Sequence, residues 1–225
     1  MKATKSLIAL AAAMAFVGAA QAVDVSYNLG VVSLYKSSGV DQDTKAVANG
    51  DKFSPAVQGG VDFDLGNGFY VGNWNSTGTF GTSSLEVDLY GGYAGELGNG
   101  LSYDVGYARY VYPGAADWNG GELVFKVGYA GITAKLTRGV DGSIKNGSRF
   151  ALSYDYSLND KVSLNATYGM RNEVSGDYGD YALGASYDLG NSMSVSATFS
   201  GATKKADAGD GSRDNRLVVG VSKSF

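Results

Sequence analysis

The chain contains neither cysteine nor histidine in 225 residues. The first absence rules out a disulfide framework and a thiolate metal site. The second removes the commonest general base and the commonest metal ligand together. Basic charge is also in short supply. Lys and Arg number 18 against 22 Asp and Glu, a net charge of −4, and loss of Lys2 and Lys5 with the leader described below makes the remainder more acidic still. Such a chain has no electrostatic reason to bind nucleic acid. Long apolar runs are missing too. Beyond residue 22, none reaches the length that crosses a bilayer as a helix.

Glycine and tyrosine are abundant, at 34 and 16 residues, while proline occurs only 2 times. The opening 22 residues read as a secretory signal: Lys2 and Lys5, an apolar run from Leu7 to Val17, then Ala20-Gln21-Ala22 as a small-x-small cleavage site. The expected division is therefore 1–22 as signal peptide and 23–225 as one exported domain, with Val23 leading the mature chain.

Within that domain the dominant period is two. Arg216 to Phe225 shows it: Leu217, Val219, Val221, Lys223 and Phe225 share one, mostly apolar face, while Arg216, Val218, Gly220, Ser222 and Ser224 share the other. Tight-turn signals recur about every 30 residues, the span of two strands and a loop. They are Gly66-Asn67-Gly68, Gly98-Asn99-Gly100, Ala130-Gly131, Asn159-Asp160-Lys161 and Gly190-Asn191, where Asn and Gly supply positive φ. Longer polar or Gly-rich connections alternate with them: 36–52, 76–82, 112–121, 139–148, 172–179 and 201–214. This alternation predicts an all-β fold, a transmembrane antiparallel up-and-down barrel of about 12 strands, with short periplasmic turns and longer extracellular loops.

Parity assigns each strand an apolar, lipid-facing row. Examples are Val25-Tyr27-Leu29-Val31, Val57-Val61-Phe63-Leu65, Leu123-Phe125-Val127-Tyr129 and Phe150-Leu152-Tyr154-Tyr156. Tyrosines gathered at strand ends suit the two membrane interfaces. The strand 69–75 gives two phases, one marked by Phe69 and Val71, the other by Tyr70 and Trp74, and a bulge is one way to reconcile them. The opposite rows carry the charge. Asp62, Glu86, Asp88 and Asp104 come from the first half, and Lys126, Lys135, Arg149 and Arg171 from the second. Charges on the lipid side would cost roughly 2–4 kcal/mol each near the midplane, so these eight are expected to line the lumen and to set selectivity. Two arrangements stay open at this point: acids and bases pairing to plug a narrow barrel, or facing each other across a water-filled pore.

Two resemblances add to this reading. The terminal strand, ending on Phe225, resembles the last strand of Gram-negative outer-membrane barrels, which implies recognition by the barrel-assembly machinery. The segments Tyr27 to Tyr35, Pro55 to Asp62, Gly68 to Trp74, Glu86 to Tyr93 and Tyr107 to Pro113 resemble the TorF family, proteobacterial porin-like proteins known as conserved hypotheticals. The likeness is strongest over 23–140. Lys36 to Gln42 departs from the family pattern, which often has Arg-rich residues and a Ser-Gln pair there. The resemblance implies an outer-membrane channel for small polar solutes and carries over no functional residue.

A channel needs a polar lumen and no catalytic set. Membrane-barrel phospholipases and proteases use a histidine, so an enzyme is disfavoured, and no cofactor is expected. A closed structural or adhesive barrel, acting through its outer loops, is the alternative. Outer-membrane lipid and lipopolysaccharide are the expected surroundings. The loop carboxylates Asp41, Asp43, Asp51, Asp207, Asp210 and Asp214 read as solvated tips, and Trp118 as an interface anchor.

Overall fold

In the computed structural model, residues 23–173, 176–203 and 210–225 are described. The leader 1–22 and part of the Asp207 to Gly211 stretch lie outside them. The elements run β1 (Asp24–Val32), β2 (Lys36–Ser37), β3 (Val40–Asp41), the helix α1 (Thr44–Asn49), β4 (Ala56–Gly66), β5 (Phe69–Phe80), β6 (Ser83–Leu97) and β7 (Leu101–Val111). They continue with β8 (Gly120–Tyr129), β9 (Ile132–Gly142), β10 (Ser148–Ser157), β11 (Val162–Asn172), β12 (Tyr178–Gly190), β13 (Met193–Ala202) and β14 (Arg216–Ser224). β1 and β4 to β14 form a closed antiparallel barrel of twelve strands, each paired with its sequence neighbour. β1 closes it by pairing with β4 on one side and β14 on the other, with Val31 opposite both Val57 and Val221. The last residue joins the seam: Phe225 N–H donates to the Tyr27 carbonyl at 2.9 Å. Closure leaves no sheet edge exposed.

The period-two pattern explains the burial, which is inverted relative to a soluble protein. The outward rows expose their large apolar side chains, Leu217 at 66% and Leu183 at 60%, while Glu86 in the interior is only 4% exposed. This is the wall a membrane barrel presents to lipid. Rings collect near the tight turns, as in Phe69 against Tyr93 at 4.9 Å and Tyr154 stacked on Tyr156 at 6.3 Å. Among the described residues no helix is long and apolar enough to cross a membrane.

The five tight turns fall where Asn and Gly place them. Asn67 has φ 53° and Gly68 φ 87°, a succession of positive φ values that a two-residue hairpin uses. At 158–161 the work is done by a side chain: Asn159 Oδ1 accepts from the N–H groups of Lys161 and Val162 at 2.9 and 3.0 Å.

Four expectations need correction. Asp41 and Asp43, expected at solvated tips, are buried, because the loop that carries them folds into the barrel. Residues 76–82 are not a long loop, because β5 runs to Phe80 and β6 begins at Ser83, leaving Gly81 (φ 63°) and Thr82 as the turn. Leu65 does not face lipid but is 4% exposed, because the register shifts between Asp64 and Gly66. The strand 69–75 needs no bulge. Its even row, Tyr70, Gly72, Trp74 and Ser76, faces the lumen. Its odd row places Asn73 and Asn75 outside, opposite Leu89 and Val87. These amides satisfy each other, Asn75 Nδ2 donating to Asn73 Oδ1 at 2.7 Å, and Asn73 Nδ2 also donates to the Asp88 carbonyl at 3.1 Å. That offsets much of the cost of facing an apolar medium.

The segment 33–55 folds back into the barrel from the end opposite the tight turns. Leu34 and Phe80 are nearly fully buried. Tyr35 packs on Trp74 at 5.6 Å and on Phe80 at 6.2 Å. Asp43 caps α1, accepting from Lys45 and Ala46 N–H at 3.0 and 2.9 Å, and its other oxygen accepts from Ser54 Oγ.

Candidate functional site

The lumen is built from two unlike walls and this inserted segment. On the wall from β4 to β8, four tyrosine hydroxyls donate to four carboxylates on other strands. Tyr90 donates to Asp62 at 2.5 Å, Tyr70 to Asp104 at 2.7 Å, Tyr110 to Glu122 at 2.7 Å and Tyr112 to Glu86 at 2.8 Å. Glycine makes room for the rings: any side chain at Gly72 would run into the Tyr90 ring, and one at Gly92 into the Tyr70 hydroxyl. The small residues on this wall thus accommodate packed rings rather than open space. Lys126 joins the array through Asp104, at 2.7 Å.

The wall from β10 to β14 is different. Its inward rows are Ser153, Asn165, Thr167, Ala182, Gly184, Ser186, Ser196, Thr198, Gly220 and Ser222. Its ion pairs gather at the outer end, while Asp155 and Asp188 stand on the same inward rows near the tight turns. Arg149 forms a bidentate pair with Asp180, Nε to Oδ2 at 2.8 Å and Nη2 to Oδ1 at 2.6 Å. The pair lies across Gly169, where a side chain would displace it. Arg171 donates to Glu173 at 2.9 Å and to Ser38 Oγ at 3.2 Å.

The inserted segment is tied mainly to this second wall. Asp41 takes Lys36 Nζ at 2.6 Å on one oxygen and Arg216 Nε at 3.0 Å on the other. Lys36 also donates to the Ser212 carbonyl at 3.1 Å. Burial lowers the Lys36 pKa from its ordinary value, with Asp41 acting in the opposite sense. Burial also pushes the Tyr35 hydroxyl far above the usual tyrosine range, helped by the charges of Glu86 and Asp88 beside it.

Two cavities of the lumen adjoin this segment. The outer one, about 720 Å³, is lined among others by Tyr35, Glu86, Asp88, Glu122, Arg149 and Arg171. The inner one, about 420 Å³, is lined by Tyr35, Gln58, Thr167, Ala182, Ser196 and Thr198 among others. Tyr35, Ser37 and Arg149 border both and stand between them.

The eight residues singled out by parity are distributed as follows. Glu86, Asp88, Arg149 and Arg171 come together on the outer cavity. Asp104 and Lys126 are not on opposite walls but register partners on β7 and β8. Lys135 is the register partner of Lys126. Asp62 is held by Tyr90 away from the basic residues. Parity overlooked Asp180, whose lumen-facing position follows from the same alternation that marks Tyr181 as outward. It gave no sign of Lys36 and Asp41, which meet Arg216 of the inward row of β14 only because the first loop folds inward. Trp118 stands at the outer rim, 6.0 Å from Tyr112.

Comparison with known proteins fits this architecture. The model of a bacterial protein family of unknown function, Gcw_chp, matches residues 17–225. Among solved structures, the KdgM porin aligns with a TM-score of 0.59 at 11% identity, covering 91% of this chain and 99% of that one. The same porin in complex with disordered oligogalacturonate aligns at 0.58 and 11%, with the same coverage. At this identity the likeness is one of fold. No curated protein matches the chain.

Proposed function

We propose that this chain, which belongs to the Gcw_chp family of bacterial proteins, is a Gram-negative outer-membrane channel that passes small polar solutes through a charged lumen. The observation that carries this reading is the pair of cavities on either side of Tyr35, Ser37 and Arg149, which border both; on this reading those three residues form the neck of the passage. A barrel built only as a scaffold has no need of space on both sides of a constriction, and a neck flanked by acids and bases is how a pore sorts solutes by charge and size. The porin fold of the KdgM structures and the resemblance of residues 23–140 to the TorF family support it. On this reading Asp62, Glu86, Asp88, Asp104, Lys126, Lys135, Arg149 and Arg171 shape the field through which the solute moves. They do no covalent chemistry. Outer-membrane lipid and lipopolysaccharide surround the apolar wall. The strand ending at Phe225 engages the assembly machinery after removal of residues 1–22.

The competing reading is a closed barrel, favoured by the buried tether of the first loop through Asp41 and Arg216. Single-channel recording of the refolded mature protein in a planar bilayer, under a salt gradient, separates the two. Discrete openings with a reversal potential away from zero are expected. A protein that inserts, runs heat-modifiably on a gel and never conducts would overturn the channel.

A further inference from the structure

The inner cavity is bordered by hydroxyls that the protein itself leaves unused. Ser196, Thr198 and Ser200 follow one another on the inward row of β13, about 7 Å apart, and all three line this space. Ser37 of the inserted segment lines it too. None of these four hydroxyls makes a hydrogen bond among the described residues. Elsewhere on the same wall hydroxyls pair with each other, Ser153 with Thr167 and Ser194 with Ser222, both at 2.9 Å. Nor are the four sealed off, since the unpartnered buried polar atoms among the described residues belong to Glu86, Asp88 and Arg171. Glycine keeps two of them open. Thr198 stands opposite Gly184 and Ser196 opposite Gly220, where a side chain would crowd their oxygens. The charges that border the cavity are spent within the protein, Lys36 on Asp41 and Arg149 on Asp180. Val32, Leu34, Ala182, Val218 and the Tyr35 ring supply apolar carbon beside the hydroxyls.

We infer that Ser37, Ser196, Thr198 and Ser200 form a subsite for a small uncharged polyol in the inner cavity. The inference deepens the channel reading by naming the class of its solute, and it rests on that reading for the solute's way in and out. Each free hydroxyl both donates and accepts. A solute hydroxyl uses both capacities, whereas an ether or a carboxylate uses only the donor. An ion entering this space would leave its water without gaining an opposite charge, because the bordering charges are already neutralised. The apolar patches accommodate the C–H groups of a carbon chain, so the fit is to hydroxyls carried on carbon. Successive hydroxyls on β13 are near enough for an open-chain polyol of sorbitol's length to reach two at once. The volume, about 420 Å³, falls within the range of about 300–1,000 Å³ that small-molecule sites occupy.

The test uses sorbitol, gluconate and triethylene glycol dimethyl ether as probes: a polyol, its carboxylate counterpart and a neutral chain without a hydroxyl. Saturation-transfer NMR on the refolded protein in detergent measures binding independently of transport, and swelling of protein-loaded liposomes measures passage. Sorbitol is expected to bind about tenfold more tightly than either of the others, the worth of two hydrogen bonds, and to pass faster. Thr198→Val and Ser200→Ala should each weaken sorbitol about fivefold, as loss of one hydrogen bond does. Neither hydroxyl is used by the fold, so the urea midpoint of both variants should stay at the parent's value. Ser222→Ala, whose hydroxyl bonds Ser194, should leave sorbitol binding unchanged. Equal binding of gluconate would overturn the uncharged class, and equal binding of the ether would overturn recognition through hydroxyls. Sorbitol binding unaltered in both β13 variants would overturn the subsite. A channel that conducts but binds no sorbitol would overturn the subsite and leave the channel standing. A protein that binds sorbitol with the expected losses, yet neither conducts nor swells liposomes, would uphold the subsite and overturn the channel.

Discussion

The two walls of the lumen come from the same kind of strand and do opposite things. From β4 to β8, inward positions alternate carboxylates with tyrosines, and each of four hydroxyls is locked on an acid of another strand. From β10 to β14 the inward positions are mostly Ser, Thr, Gly and Ala, and the inner cavity lies along them. The first wall sets charge and rigidity, and the second leaves volume. On the channel reading, a barrel of this size need be neither open throughout nor plugged, since filling one half of the circumference would confine a passage to the other half. The inserted first loop spans the two, its Tyr35 packed on Trp74 and its Asp41 fixed to Arg216.

The comparison is broken most directly at that bridge. Asp41 is buried between two cations, so Asp41→Asn leaves Lys36 without its counter-charge and Arg216 with only the longer contact to Asp214, at 3.5 Å. Removing one member of a buried pair costs about 3–5 kcal/mol, enough to undock the loop. The expected result is a larger, noisier conductance and rapid proteolysis within 36–52. Unchanged conductance and protease resistance would mean that the loop does not narrow the passage.

A matched pair of substitutions tests the walls themselves. Ala182 lines the inner cavity, whereas Ala108 is buried opposite Tyr90 and Glu122. Ala182→Trp should fold normally and cut conductance by about half or more, because it puts a large ring into the space. Ala108→Trp meets packed rings instead. It should lower the urea midpoint by about 1–3 kcal/mol of overpacking with less effect on current in the molecules that fold. The reverse pattern would exchange the roles of the walls. A smaller effect is expected from Tyr90→Phe, which takes the hydroxyl donor from Asp62. A stability loss of about 1–3 kcal/mol, seen in the same urea titration with selectivity nearly unchanged, would place this pair in the scaffold.

Much of this division was legible in the sequence, for a physical reason. Alternation is enforced by two solvents, lipid outside and the lumen inside, so parity alone puts Asp62, Glu86, Asp88 and Arg149 on the rows opposite the apolar ones. Asn and Gly marked the tight turns because few other residues accept their φ angles. Composition misled where strand and loop use the same residues. Ser76 to Thr82 is rich in Ser, Thr and Gly, yet β5 and β6 pair nearly to its end. The first loop's course was hidden because Asp41 and Arg216 lie 175 positions apart, and only the closed barrel brings them together. The pairing of Asp104 with Lys126 required register, which parity alone does not give.

The mildest perturbation is pH, and it acts on the loop from two sides. Burial first, then Glu86 and Asp88, raise the Tyr35 pKa well above its ordinary 10.0. A raised acid contributes docking stability that is whole below the undocked pKa. That stability is lost progressively as pH climbs above about 10, where an undocked Tyr35 ionises and a docked one resists. Lys36 has the opposite sign. Its pKa is lowered by burial, so below 10.5 the undocked loop binds more protons there, and rising pH favours docking. The Lys36 gain is complete once pH passes 10.5, whereas the Tyr35 loss goes on growing, so the balance turns against docking only in strong alkali. Conductance should therefore be flat through neutrality and rise reversibly in strongly alkaline buffer. Tyr35→Phe cannot ionise, so it should abolish the rise while keeping the ring packed on Trp74 and Phe80. A rise that persists in Tyr35→Phe would move the alkaline transition to the tyrosines of the β4 to β8 wall, and the supposed rigidity of that wall would be what fails first.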